Sequence, residues 1–179
     1  MISFIASSAM MFLMAITSSD NLQGIIFWIM GSLDEPNKNL VLFTFIASVI
    51  LLIASYLCVQ PLNALRLGED KAQHLGIDTN LNIRLLFIMA SLLAGMCVAV
   101  AGVIGFVGLI IPHIIRLIFG YNYRFLLIAS FILGAVFILL SDLLARTIIR
   151  PNELPIGVIT GIVGGVVFIL MMSKKKKRI

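Results

Sequence analysis

The chain has 179 residues, of which 61% are hydrophobic and only 12% charged, with a mean hydropathy of +1.14 and a formal net charge of +5. A soluble domain carries roughly 45 to 50% apolar and about 25% charged residues, and a core of this size could not hide so much apolar surface. The composition excludes a soluble globular protein and predicts an all-α integral membrane protein.

Six apolar runs approach the roughly 20 residues that cross a bilayer: 2–17, 40–59, 83–101, 103–119, 125–148 and 156–172. The first opens at Met1 with no basic leader and no A-x-A-like site, which argues against a cleavable signal peptide, and the chain reads as one that starts late. It is followed by DNLQGIIFWIMGSLDEPNK, which predicts a short amphipathic helix with Trp28 at the membrane interface, then a turn through Asp34, Glu35 and Pro36.

Between the second and third runs lies NALRLGEDKAQHLG, residues 63–76. A plain connector needs only a few polar residues, whereas this one carries two acids, two bases and a histidine. Glu69 and Asp70 after Gly68 suit a helix amino terminus, and Gly76 after Leu75 suits a left-handed cap. Ala72 and Leu75 give that helix a small apolar face, and Pro61, Leu62 and Leu65 predict a first short helix before it. Two short helices lying on the membrane surface make either an interfacial hairpin or a knob for a partner to grip.

In the fourth run Pro112 interrupts the pattern and His113 and Arg116 follow, so this helix is expected to be short, kinked or partly re-entrant. Just before it, GVIGFVG (Gly102, Gly105, Gly108) is not a dinucleotide fingerprint, and its apolar fillers predict close helix contacts. The fifth run ends in DLLARTIIRPNELP, where Asp142 and Arg146 stand four apart on one helical face. They form either a local ion pair or a docking point. In the sixth run Gly157, Gly161 and Gly165 recur every four residues and make a smooth face for helix packing or for lining a path.

The tail SKKKKRI fixes orientation under the positive-inside rule and suits contact with anionic lipid. With the carboxyl terminus cytoplasmic, ten basic residues fall on the cytoplasmic side, the tail together with Arg66, Lys71, Arg84, Arg116 and Arg124. Three fall outside: Lys38, Arg146 and Arg150. The insert at 63–76 is then cytoplasmic.

No acid, base or histidine lies in the middle of any run, which disfavours proton-coupled transport and voltage sensing. The sequence contains no G-x-x-x-x-G-K-[ST], so an energy source must come from a partner chain. Cys58 and Cys97 share no metal-type spacing, His74 and His113 have no companion ligands, and the methionines suit packing, so no metal site and no cofactor are expected.

Four segments, LNALRLGEDKAQHLG, AGVIGFVGLIIPHIIRLIFG, SDLLAR and NELPIGVITGIVGG, stand in the order and spacing seen in permeases of the iron-siderophore, haem and vitamin B12 ABC importers, the FecCD type, which the chain resembles. The looser first 60 residues (FWIMGSL and the run after it) also fit. Such permeases are about twice as long with ten spans, so the resemblance implies the carboxyl-terminal six, a single permease domain over 1–179 with a coupling-helix insert at 61–80. It implies that Leu65, Gly68, Glu69, Ala72, Leu75 and Gly76 couple to a cytoplasmic ATP-binding subunit. Asp142 and Arg146 would meet an extracytoplasmic substrate-binding protein. Gly102, Gly105, Gly108, Pro112, Gly157, Gly161 and Gly165 would pack helices or line the path, and the first and last spans would border it at the axis with a second permease chain. The sequence departs from the pattern at Val166, where proline is frequent, and at Asn122 and Tyr123, where an Asp-His pair is frequent.

The implied location is the bacterial inner membrane, with lipid and protein partners and no nucleic acid. The expected function is the membrane subunit of an ATP-driven importer of iron chelates or cobalamin, itself no enzyme. A non-transporting membrane scaffold is the rival reading, and a secondary carrier a weaker one given the empty run interiors. The sequence does not identify the chelate.

Overall fold

The computed structural model describes residues 1–35, 37–148 and 154–176. Pro36 of the expected turn, Arg150 of the loop expected outside and the end of the basic tail lie outside them. Among the described residues nine helices and no strand form: α1 (Ile2–Ile16), α2 (Ser19–Ile29), α3 (Lys38–Leu57), α4 (Val59–Leu65), α5 (Glu69–His74), α6 (Thr79–Ala101), α7 (Val107–Phe119), α8 (Tyr123–Ile148) and α9 (Ile156–Lys176). By length and composition α3, α6 and α8 are able to cross a membrane, whereas α1, α7 and the apolar part of α9 are shorter. At about 1.5 Å per residue the shortest of the three, α3, reaches the roughly 30 Å of a hydrocarbon core.

Local chemistry sets the ends. α3 starts at Asn37, whose side-chain oxygen accepts from the backbone amides of Asn39 and Leu40. α6 starts at Asp78, which accepts from the amide of Leu81. Both satisfy donors that the first helical turn leaves without partners.

The broken fourth run differs from expectation in where it breaks. Pro112 sits inside a continuous α7, and the interruption falls upstream, at 102–106. There Gly102 has φ 68° and Phe106 has φ 66°. A left-handed phenylalanine is uncommon and costs of order 1 kcal/mol or more, so its surroundings hold it there.

The tightest packing joins α7 to α8 through Ile111, Ile115 and Leu126, flanked by Val107, Tyr123, Ala129 and Phe137. A second cluster joins α8 to α9 through Ala145, Ile156 and Ile159. α1 and α3 have no buried residue. Two buried hydroxyls return to their own helices: Ser141 donates to the carbonyl of Phe137 at 2.8 Å and Thr160 to that of Gly157 at 3.3 Å. α4, α5 and the α7–α8 corner gather at one end of the bundle, and α2, the 102–106 segment and the start of α9 at the other.

Candidate functional site

The insert forms a pair of short helices set on the end of the bundle. The turn between α4 and α5 passes through Gly68 at φ 107°, a conformation that a side chain would strain, and the acids Glu69 and Asp70 follow it in the first turn of α5. Ala72 is wholly buried and Ala64 nearly so, and both let the backbones close on each other. The amide of Ile77 donates to the carbonyl of Ala72 at 3.1 Å, and Gln73 Nε2 donates to the buried Thr79 Oγ1 at 3.0 Å. The apolar face expected of Ala72 and Leu75 together therefore divides. Ala72 faces the interior of the pair, while Leu75 is 65% exposed and Leu67 59%. These two leucines stand among the exposed Glu69, Asp70, Lys71 and His74. Leu65 is half-buried and Gly76, at φ 80°, closes α5.

The pair is fastened to the α7–α8 corner by contacts that nothing in the sequence reading anticipated. Arg66 Nη1 donates to the carbonyl of Tyr121 at 3.4 Å, and its guanidinium lies 4.6 Å from the centre of the Tyr121 ring. The amide of Tyr123 donates to Asn63 Oδ1 at 3.2 Å. Asn122, one of the departures from the family pattern, accepts from the amide of Arg124 at 3.0 Å at the start of α8. Arg66 counted only as one of the orienting charges, since no local spacing pairs it with a residue 55 positions away.

At the opposite end, Arg146 Nε meets Asp142 Oδ2 at 3.0 Å and Oδ1 at 3.1 Å, the local ion pair expected from their spacing. Arg146 keeps 40% of its side chain exposed. Behind it Ala145 is buried, and its carbonyl accepts from the amide of Leu154 at 3.3 Å. The amides of Ile156 and Gly157 donate to the carbonyls of Gly31 and Met30, each at 3.0 Å, and the amide of Ser32 donates to the carbonyl of Ala101 at 3.0 Å. These bonds knot the α2–α3 loop to the end of α6 and the start of α9.

The glycines divide by use. A β-carbon on Gly102 would overlap the Trp28 carbonyl oxygen, and one on Gly157 would overlap that of Met30. Gly105, Gly108, Gly161 and Gly165 have open space where a β-carbon would stand. Within this chain the expected four-residue stripe on α9 therefore packs only at Gly157, and the second tight position is Gly164, which holds the side chain of Phe106. His74 and His113 are exposed, and Cys58, at the turn between α3 and α4, and Cys97, on α6, are free thiols.

The profile of the FecCD transport family matches residues 1–174. The chain belongs to that family. It is 44% identical over 163 residues to the "uncharacterized ABC transporter permease protein YvrB" of Bacillus subtilis, covering 89% of this chain and 45% of the relative. It is 35% identical to the hemin transport system permease protein HmuU of Yersinia pestis, with 91% and 49% covered. To the vitamin B12 import system permease protein BtuC of Yersinia enterocolitica it is 37% identical, with 96% and 51% covered. A solved structure described as an inward-facing conformation of an ABC transporter of metal-chelate type superposes with a TM-score of 0.86 at 33% identity, over 96% of this chain and 56% of that one. The chain spans about half the length of the curated relatives it matches. The FecCD fold is thus an all-helical, multi-pass membrane architecture, and the family is one of transport permeases.

Proposed function

We propose that the chain is the membrane part of an ATP-driven importer of bulky metal chelates, with ferric siderophore, haem or cobalamin as the cargo class, and that it forms a single permease domain with 61–80 as its coupling insert. The observation that carries this reading is the α4–α5 pair: two exposed leucines framed by charge, on helices fastened to both the spans that flank them and the α7–α8 corner. An ATP-binding subunit gripping Leu67 and Leu75 moves the pair as one body. Arg66 and Asn63 carry that motion into α7 and α8, while α3 and α6 follow through the chain itself. Ala72, Gly68 and Gly76 shape the pair. At the far end Asp142 and Arg146 meet an extracytoplasmic substrate-binding protein, and the knot of α2, α6 and α9 passes that contact to α9. Against a second permease chain, α1 and α9 border the path. The insert and both termini face the cytoplasm.

Co-purification with the cognate ATP-binding subunit tests the reading. Leu75→Glu leaves the chain folded and reduces retention of the subunit roughly tenfold or more, because an unpaired charge buried in a contact costs several kcal/mol. Ala72→Glu breaks the pair itself and shows as protease cleavage within 59–79. Retention at the level of the unmodified chain in both Leu75→Glu and Leu67→Glu overturns the coupling role, and retention without ATP-dependent uptake by the assembled complex leaves a scaffold.

A further inference from the structure

Where α3 ends and α8 begins, an open-sided cavity of about 390 Å³ is lined by Tyr56, Leu57, Val59, Gln60 and Arg124. Its volume falls in the range of small-ligand clefts, roughly 300 to 1,000 Å³. Three of the five carry polar side chains and none carries a negative charge. Among the described residues the side chains of Tyr56, Gln60 and Arg124 have no partner within the chain.

Arg124 is also oddly placed for a helix residue. It stands in the first turn of α8, a turn with no acidic residue, where the aligned peptide dipoles already present positive charge. A second positive charge there is unfavourable until an anion neutralises it. The cavity lies at the boundary of two long apolar helices, the depth at which tyrosines sit and lipid phosphates lie.

The other half of the observation is apolar. Leu57, on the cavity wall, is the end of a stripe on α3 that continues through Ile53, Ile50 and Ile46, at steps of four, three and four residues along one helical face. All four are exposed, from 49% at Ile46 to 78% at Leu57. A free phosphate would need the arginine alone, whereas a molecule with a charged head and an aliphatic chain uses the whole of it.

From this juxtaposition we infer that the α3–α4–α8 corner is a binding site for one anionic phospholipid. Arg124 meets its phosphate, Tyr56 and Gln60 meet the headgroup, and one acyl chain lies along the α3 stripe. The inference needs only a membrane around the helices and stands apart from the transport reading.

Native mass spectrometry of the delipidated chain in detergent tests it, with phosphatidylglycerol as the probe and phosphatidylcholine as the neutral-headgroup comparison. One phosphatidylglycerol per chain is expected to survive activation, with phosphatidylcholine retained much less. Arg124→Gln weakens retention roughly tenfold or more, the loss expected from one charge-assisted hydrogen bond, and Arg124→Lys recovers part of it. Ile53→Asn, which interrupts the stripe and leaves the cavity intact, also weakens it. Equal retention of the two lipids, unchanged retention in Arg124→Gln, or displacement of the lipid by an equal concentration of inorganic phosphate each overturns the proposal. A protein segment covering this corner instead would leave Arg124→Gln and Ile53→Asn without effect on lipid and overturn it too.

Discussion

Gly157 and Gly161 sit one turn apart on α9 and look alike in sequence, yet a methyl group at the first would overlap the Met30 carbonyl and at the second would meet open space. Gly157→Ala is expected to cost about 1 to 3 kcal/mol, the usual range for overpacking a close contact, while Gly161→Ala stays within roughly 0.5 kcal/mol. Thermal unfolding of the two variants in detergent checks this, and equal midpoints would count against the knot of α2, α6 and α9. Arg146 invites a second test at the same scale. Its ion pair with Asp142 is exposed, and such pairs contribute only roughly 0 to 1 kcal/mol, so Arg146→Glu leaves the fold almost unchanged. If the residue docks a binding protein, the same change slows association by charge repulsion, and raising the salt narrows the difference from the unmodified chain. Unchanged association at low salt would assign Arg146 to the helix end alone.

At the scale of elements, the fastening of α4–α5 to the α7–α8 corner makes a measurable claim. Asn63→Ala removes the acceptor of the Tyr123 amide, and one hydrogen bond of about 1 kcal/mol corresponds to roughly five-fold faster amide exchange at Tyr123. Arg66→Ala, which removes the contact with Tyr121, adds to it if the two contacts act as one latch. Exchange unchanged in the double variant would show that the corner holds without them. The short helices themselves were legible, because Gly68, Gly76 and the paired acids are local signals. Their fastening was not, since it joins residues about sixty positions apart. The glycines mislead for a related reason. In lipid both faces of a helix are apolar, so hydrophobicity no longer marks the buried face, and a four-residue glycine repeat suggests a contact face without saying which of its members another backbone crosses. The Gly102 and Gly157 contacts depend on where the α2–α3 loop passes, and Gly164 on the left-handed turn at Phe106. Proline is the strongest local punctuator, so Pro112 reads as the break in the sequence, but it stands six residues into α7 and the helix runs on through it, while the interruption falls at 102–106.

For the molecule as a whole, the accessible surface of 12983 Å² far exceeds the roughly 8,600 Å² of a soluble monomer of the same 19.6 kDa. The excess is apolar, spread along α1, α3, α6 and α8, and is surface for lipid or neighbouring protein to cover. Composition announced this plainly. Orientation adds a test at this scale. In a background with Cys58 and Cys97 replaced by serine, a cysteine at Asn152 is expected to react with an impermeant reagent in intact cells, and one at Ser173 only after permeabilisation. The opposite pattern would reverse the bundle and put the α4–α5 pair outside, beyond reach of any ATP-binding subunit.

The knot of α2, α6 and α9 also bears on how the protein is made. Synthesis delivers Met30 and Gly31 well before Ile156 and Gly157, whose amides take the Gly31 and Met30 carbonyls. At about 20 Å, α7 falls short of the hydrocarbon core, and the 102–106 segment that extends it has backbone groups that lipid does not satisfy. A lone α7 is therefore a poor substrate for insertion, and its open end is covered only once α9 arrives to pack Gly164 against Phe106.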